Sequence, residues 1–166
     1  MKLTDFQIFR DKTVRKVGIG VVSILLLFLL LDLLFPFKAT VQYSTQIKSK
    51  EGVVLHSYLS RDEKWRLYTD LNEITPLLKK TLIYKEDQYF YYHPGINPFA
   101  IGRAAFRNIF SGRRTSGAST ITMQVVRLLK PGPRTYLNKI LESFHALQLE
   151  LHYSKEEIIQ LAGGHR

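Results

Sequence analysis

The distribution of apolar and polar positions changes character along this chain, and each change predicts a different kind of element. From Val17 to Phe37 the only charge is Asp32, and this run of about 21 residues is long enough as a helix to cross a hydrocarbon layer of roughly 30 Å. From Val41 the pattern becomes alternating. Val41, Tyr43, Thr45 and Ile47 share one face, Lys50-Glu51-Gly52 supplies a turn, and Val53 to Leu59 returns, which predicts a short hairpin. Beyond the polar stretch 60–73 the period is helical. Thr75-Pro76 gives a cap followed by proline at the first helical position, predicting a helix from Pro76 to about Asp87. Asn97-Pro98 repeats that start, with Phe99, Ala105, Phe106 and Ile109 as an apolar face and Ser111-Gly112 as the stop. Arg113 to Gly117 reads as a mobile loop. Ile121, Val125, Leu128 and Leu129 predict a further helix halted by Pro131 and Pro133. Thr135 then caps a long one to about His152, with Leu137, Leu141, Phe144 and Leu151 as its buried stripe. Ser154 and Glu157, three apart, form a capping box for a last helix that ends at Gly163-Gly164.

Charge adds a direction to this map. Lys2, Arg10, Lys12, Arg15 and Lys16 precede the apolar run against Asp5 and Asp11 alone, so the positive-inside rule keeps the N-terminus in the cytoplasm and puts everything after Lys38 outside. The run lacks the small-residue cleavage site of a secretory signal and reads as an uncleaved anchor, with Asp32 close enough to Lys38 to reach the outer headgroups. The expected organisation is a basic tail (1–16), an anchor (17–37), a membrane-proximal hairpin and linker (38–73) and a single domain (74–166). The chain has no cysteine, which excludes disulfides, thiolate metal sites and cysteine nucleophiles.

Four clusters could carry chemistry. Between Asp87 and Glu142 there is no acidic residue, whereas Arg103, Arg107, Arg113, Arg114, Arg127, Lys130, Arg134 and Lys139 all fall there, in a chain of net charge +10. On the outer side of a membrane, nucleic acid is a poor partner for such a surface, and a phosphate-bearing lipid is a better one. Glu86-Asp87 sits where a helix runs into an aromatic, turn-rich stretch containing His93 and Gly95. Partial burial beside aromatic rings would raise a carboxylate there towards the range of a general base, although an acidic pair is more commonly a wet helix end. Ser119, Thr120 and Thr122 belong to a hydroxyl-rich run entering a helix, where backbone amides suit a phosphate as readily as they suit an ordinary cap. Lys139 and Glu142, three apart, share one helix face.

In this order, the residues resemble the family 51 peptidoglycan glycosyltransferases, the transglycosylase domain of class A penicillin-binding proteins. Glu86-Asp87, Phe90, His93 and Gly95 look like that family's first motif, and Gly117 to Thr122 with Gln124 and Arg127 like its second. Lys139, Glu142 and the Ala146 to Glu150 stretch resemble the third, and Lys155-Glu156-Glu157-Ile158 the start of the fourth. Met123 replaces the commonest glutamine, and Gly-Ala-Ser-Thr-x-Thr-Met-Gln-Val followed by Arg-Leu-Leu is similar to the 1C subgroup of penicillin-binding proteins. The resemblance covers roughly residues 40 to 161.

It implies a mainly α, lysozyme-like glycosyltransferase domain, C-terminally truncated, behind a small β element and one transmembrane helix in the bacterial cytoplasmic membrane. The implied reaction polymerises lipid-linked disaccharide-peptide, lipid II, into the glycan strands of the cell wall. Glu86 and Glu142 would be its catalytic carboxylates, Glu86 the base and Glu142 an organiser of the cations or a ligand for a divalent ion, magnesium or manganese, on the pyrophosphate. Asp87, His93, Ser119, Thr120, Gln124, Arg127 and Lys139 would bind substrate. Expected partners are lipid II, the growing strand, the membrane and other cell wall synthesis proteins.

Departures from the family pattern limit these expectations. Gln88 and Asn138 stand where the family usually has arginine, and Leu161 is followed by Ala162-Gly163-Gly164 instead of the usual Tyr-Leu-Asn. The first two departures predict weaker phosphate contacts, and the incomplete fourth motif predicts that the chain as given is a poor polymerase or none at all, with binding surviving longer than turnover. Two other readings stay open: a catalytically inactive relative that binds lipid II or serves as a scaffold, and a basic module that docks on acidic phospholipid.

Overall fold

A computed structural model describes residues 12–70, 72–111 and 117–163. The backbone divides into two units, one ending at Phe37 and the other beginning at Lys38. The first holds helix α1, Lys12–Leu34, which is long and apolar enough to cross a membrane. Asp32 is the buried residue of this helix.

The second unit opens with strands β1 (Gln46–Lys48) and β2 (Val54–Ser57), an antiparallel pair whose register shifts between Ile47 and Lys48. The alternation that begins at Val41 therefore forms a ladder only from Gln46. Upstream of it, the Ser44 amide and hydroxyl turn aside to the Arg66 and Lys64 carbonyls. Gly52 takes φ +84° in the connecting turn, a conformation glycine adopts without strain. Arg66 is buried and makes a two-pronged contact with Asp62, pulling that carboxyl well below its ordinary range.

The helices follow the start signals closely. In α2 (Pro76–Glu86), the Thr75 hydroxyl accepts the Leu78 amide at 3.3 Å and proline occupies the first position. In α3 (Pro98–Ser111), Asn97 Oδ1 accepts the Ala100 amide at 2.9 Å. In α4 (Ile121–Leu129), the cap is Thr120, and in α5 (Tyr136–His152) it is Thr135. The predicted capping box opens α6 (Lys155–Gly163): the Ser154 amide donates to Glu157 Oε2 at 2.7 Å, and Ser154 Oγ accepts the Glu157 amide at 3.3 Å. These bonds satisfy helix-end amides that would otherwise lack partners. The predicted loop at Arg113 lies, apart from Gly117, outside the described residues.

The core is built around α4, where Ile121, Thr122, Met123, Val125 and Val126 are all buried, together with Phe90, Ala146, Leu149, Ile158 and Ile159. Here the expected stripe on α5 is not buried at its leucines, and its Phe144 is half-buried. Leu137, Leu141 and Leu151 are exposed, Leu137 at 76%, and the buried residues are Glu142, Ala146, Gln148 and Leu149. Hydrophobicity picked the wrong side because the inward side is chosen by close approach and polar pairing. A Cβ added to Gly95, at φ +86°, would lie 2.7 Å from the Ala146 carbonyl oxygen and 2.9 Å from Glu150 Cγ. Of the apolar face expected on α3, Phe99 and Phe106 are exposed, the neighbouring short Ala104 is buried, and the side chains of Ala105 and Ile109 lie outside those described.

Candidate active site

Glu86 ends α2 and Asp87 is its C-cap, so one helix terminus presents two carboxylates in opposite settings. Asp87 is buried. Both of its oxygens lie 3.0 Å from His93 Nε2, and Oδ2 accepts the Ile121 amide at 3.1 Å. Asp87 thus joins the end of α2, the turn after it and the start of α4. With Nε2 directed at the carboxylate, His93 Nδ1 is a buried atom without a hydrogen-bond partner among the described residues. Thr120 is buried too; its hydroxyl donates to the Gly95 carbonyl at 2.6 Å and accepts the Met123 amide at 3.2 Å. Asp87, His93 and Thr120 were expected to bind substrate. Apart from His93 Nδ1, their side-chain polar atoms make hydrogen bonds within the protein, where an unmade one is costly, while Asp87 and Thr120 also line the cavity that holds Glu86.

Glu86 is exposed and accepts a hydrogen bond from Gln124 Nε2 at 2.9 Å. The burial beside aromatic rings expected for it is absent, because the neighbouring ring that is buried, Phe90, turns inward under Lys155. Glu86 and Asp87 line a cavity of about 170 Å³ with Gln88, Arg103, Gly117 and Ser119.

The second cluster follows from spacing on α4 and α5. Arg127 Nε and Nη2 donate to the two oxygens of Glu142 at 2.9 and 3.0 Å, a two-pronged pair. Lys139 Nζ donates to Glu142 Oε2 at 3.1 Å and to Ser119 Oγ at 2.7 Å. The Arg127 guanidinium, and after it Lys139, hold the Glu142 carboxyl below its ordinary value, while Glu142 raises Arg127. Glu142 is therefore held as an anion between the two cations. Arg127, Arg134, Lys139 and Glu142 border a cleft of about 540 Å³. The Lys139 to Ser119 bond connects that cleft to the Glu86 cavity.

No group of three His, Cys, Asp or Glu suited to a metal occurs among the described residues. With both Glu142 oxygens already on cations, these side chains do not fit a resident metal site.

Sequence reasoning placed the members of a third cluster in separate motifs but did not connect them. Glu150 Oε1 accepts the Thr122 hydroxyl at 2.6 Å and Lys155 Nζ at 2.7 Å, and Lys155 Nζ also donates to the His93 carbonyl at 2.7 Å. Its members come from α4, α5, α6 and the turn after α2. No periodicity connects residues so far apart in the chain.

The arrangement defines a helical domain with one exposed carboxylate beside an ordered cation pair. The chain belongs to the transglycosylase family, whose model matches residues 51–161. It is 44% identical over 115 residues to penicillin-binding protein 1C of Escherichia coli, covering 69% of this chain and 15% of that protein. It is 40% identical over 121 residues to penicillin-binding protein 1A of the same organism, covering 72% and 14%. Penicillin-binding protein 1A/1B of Bacillus subtilis is 38% identical over 125 residues, covering 75% and 13%. The chain thus spans about 15% of the length of the first of these relatives.

Proposed function

We propose that this domain is a peptidoglycan glycosyltransferase that joins lipid II units into glycan strands, anchored by α1 with the domain on the outer face of the bacterial cytoplasmic membrane. The observation that carries this reading is the bond between Lys139 and Ser119, which sets the cation pair beside the cavity of Glu86. A hydroxyl of the acceptor sugar attacks the anomeric carbon of the donor, and the bond from that carbon to the pyrophosphate oxygen breaks. Glu86 takes the hydroxyl proton, and the polyprenyl pyrophosphate leaves as an anion. Gln124 fixes the Glu86 carboxylate in direction. Arg127 and Lys139, ordered by Glu142, stabilise the charge that grows on the leaving group, and Arg134 lines the same cleft. Because Glu86 is exposed, the arriving sugars themselves must exclude water from it. A divalent ion bound to the pyrophosphate would add neutralising charge there.

The test supplies labelled lipid II to the detergent-purified chain and looks for strands beside a Glu86→Gln control. Strand synthesis should fall by roughly a hundred- to ten-thousand-fold in the control, the range for loss of a general base. Strands at an equal rate in both would overturn the role of Glu86. Saturable binding of lipid II without strands would instead support the binding or scaffold reading. Equal binding to plain anionic vesicles would support the phospholipid module. An alkaline phosphatase fused after residue 70 should be active outside the membrane, and an inactive fusion would reverse the orientation.

A further inference from the structure

Lys155 lines none of the cavities that hold Glu86, Lys139 or Arg127, yet its ammonium sits where four segments meet. It donates to the His93 carbonyl and to Glu150 Oε1, both at 2.7 Å, and lies 4.4 Å from the centre of the Phe90 ring. Its side chain is 19% exposed and that of Glu150 is 8% exposed, so the charges meet largely out of water. Glu150 passes the contact on to the Thr122 hydroxyl on α4. The carbonyl that Lys155 grips belongs to His93, whose ring holds Asp87, the residue next to Glu86. Phe90, the other group under the ammonium, donates its amide to the Asp87 carbonyl at 2.9 Å.

We infer that Lys155 is a positioning residue for the transfer reaction: its ammonium locks the turn from Asp87 to Gly95 against α4 and α5 and thereby fixes Glu86 relative to the cation cleft. This rests on the glycosyltransferase reading for its catalytic consequence, and on the fold alone for the lock. A lysine suits the place because its three donors and compact charge serve a carbonyl, a carboxylate and a ring face together. Glu86 must meet a hydroxyl at a defined distance, and misplacement by about 1 Å can cost roughly a hundredfold in rate. The cation cleft has no bond to Lys155, so donor binding should be spared.

The experiment compares wild type with Lys155→Met, which keeps the apolar stem, and Lys155→Arg, which restores charge and donors. Amide hydrogen exchange is followed along the chain, and strand synthesis is measured with labelled lipid II. In Lys155→Met, protection of the amides from Phe90 to Gly95 should drop about tenfold or more while Val125 and Val126 in α4 stay protected. In the same variant kcat should fall between about ten- and a hundredfold with KM for the donor within about twofold. Lys155→Arg should recover most of both. Unchanged exchange in Lys155→Met, loss of protection spread evenly through α4 and α5, or a fall carried by KM would each overturn the inference. If wild type makes no strands, the glycosyltransferase reading fails by itself, and the exchange profile still decides whether Lys155 locks the turn.

Discussion

Two polar clusters in this domain, each built around a buried carboxylate, face opposite ways. Behind the site, Asp87 and His93 have side chains only 5% and 6% exposed, and every contact they make ties one segment of backbone to another. At the front, Arg127 and Lys139 are 43% and 39% exposed around a Glu142 that is only 8% exposed. The buried cluster has no solvent-facing donor left for a ligand. The open one keeps its anion inside and turns its cations outward, which suits a pyrophosphate. The difference teaches that a carboxylate's setting here follows from what surrounds it: Asp87 ties buried segments together, Glu142 orders two cations, and Glu86 is exposed beside Gln124.

The contrast breaks most visibly at Asp87. Asp87→Ala leaves the Ile121 amide and the His93 ring without their partner in a dry setting, and should lower stability by about 3 kcal/mol in denaturant unfolding. Glu86→Gln next door should stay within about 0.5 kcal/mol of wild type by the same measurement, as exposed substitutions do. Equal losses in the two variants would erase the distinction between the buried and the exposed carboxylate.

A smaller effect should follow from opening the front cluster. Arg127→Ala and Lys139→Ala should each weaken binding of the lipid-linked pyrophosphate about tenfold at low salt, as expected when one charged hydrogen bond to an anion is lost. Salt should weaken wild-type binding as well, because exposed charges are screened beyond about 8 Å at physiological ionic strength. Titration of labelled donor at two salt concentrations checks both, and unchanged affinity in both variants would remove these residues from the donor site.

The smallest effect sharpens the comparison by pH. The folded Glu142 carboxyl is held below its ordinary value of 4.5, so its ion pairs add stability that is fully present above that value. That stability fades as pH falls from about 4.5 through the lowered folded value. Glu142→Gln should flatten this part of the acid limb in thermal unfolding and leave the slope near neutrality unchanged. An acid limb identical to that of wild type would mean that the pair contributes nothing to folding.

What the sequence determined by itself are the features written in local chemistry. Thr75-Pro76, Asn97-Pro98, Thr120, Thr135 and the Ser154 to Glu157 box placed the helix starts, because a cap is an interaction between neighbours in the chain. The apolar run in α1 marked a helix of membrane-spanning length for a similar reason, since length and composition suffice. The motifs also named the residues that cluster, including Glu86, Gln124, Arg127, Lys139 and Glu142. Only the tertiary structure decided which side of α5 is buried, that Asp87, His93 and Thr120 face inward while Glu86 faces out, and that Lys155 grips the turn beside Glu86. Those outcomes depend on which surfaces meet. Gly95 reaching Ala146 and Glu150 reaching both Thr122 and Lys155 are contacts between segments far apart in the chain, and no period in the sequence records them.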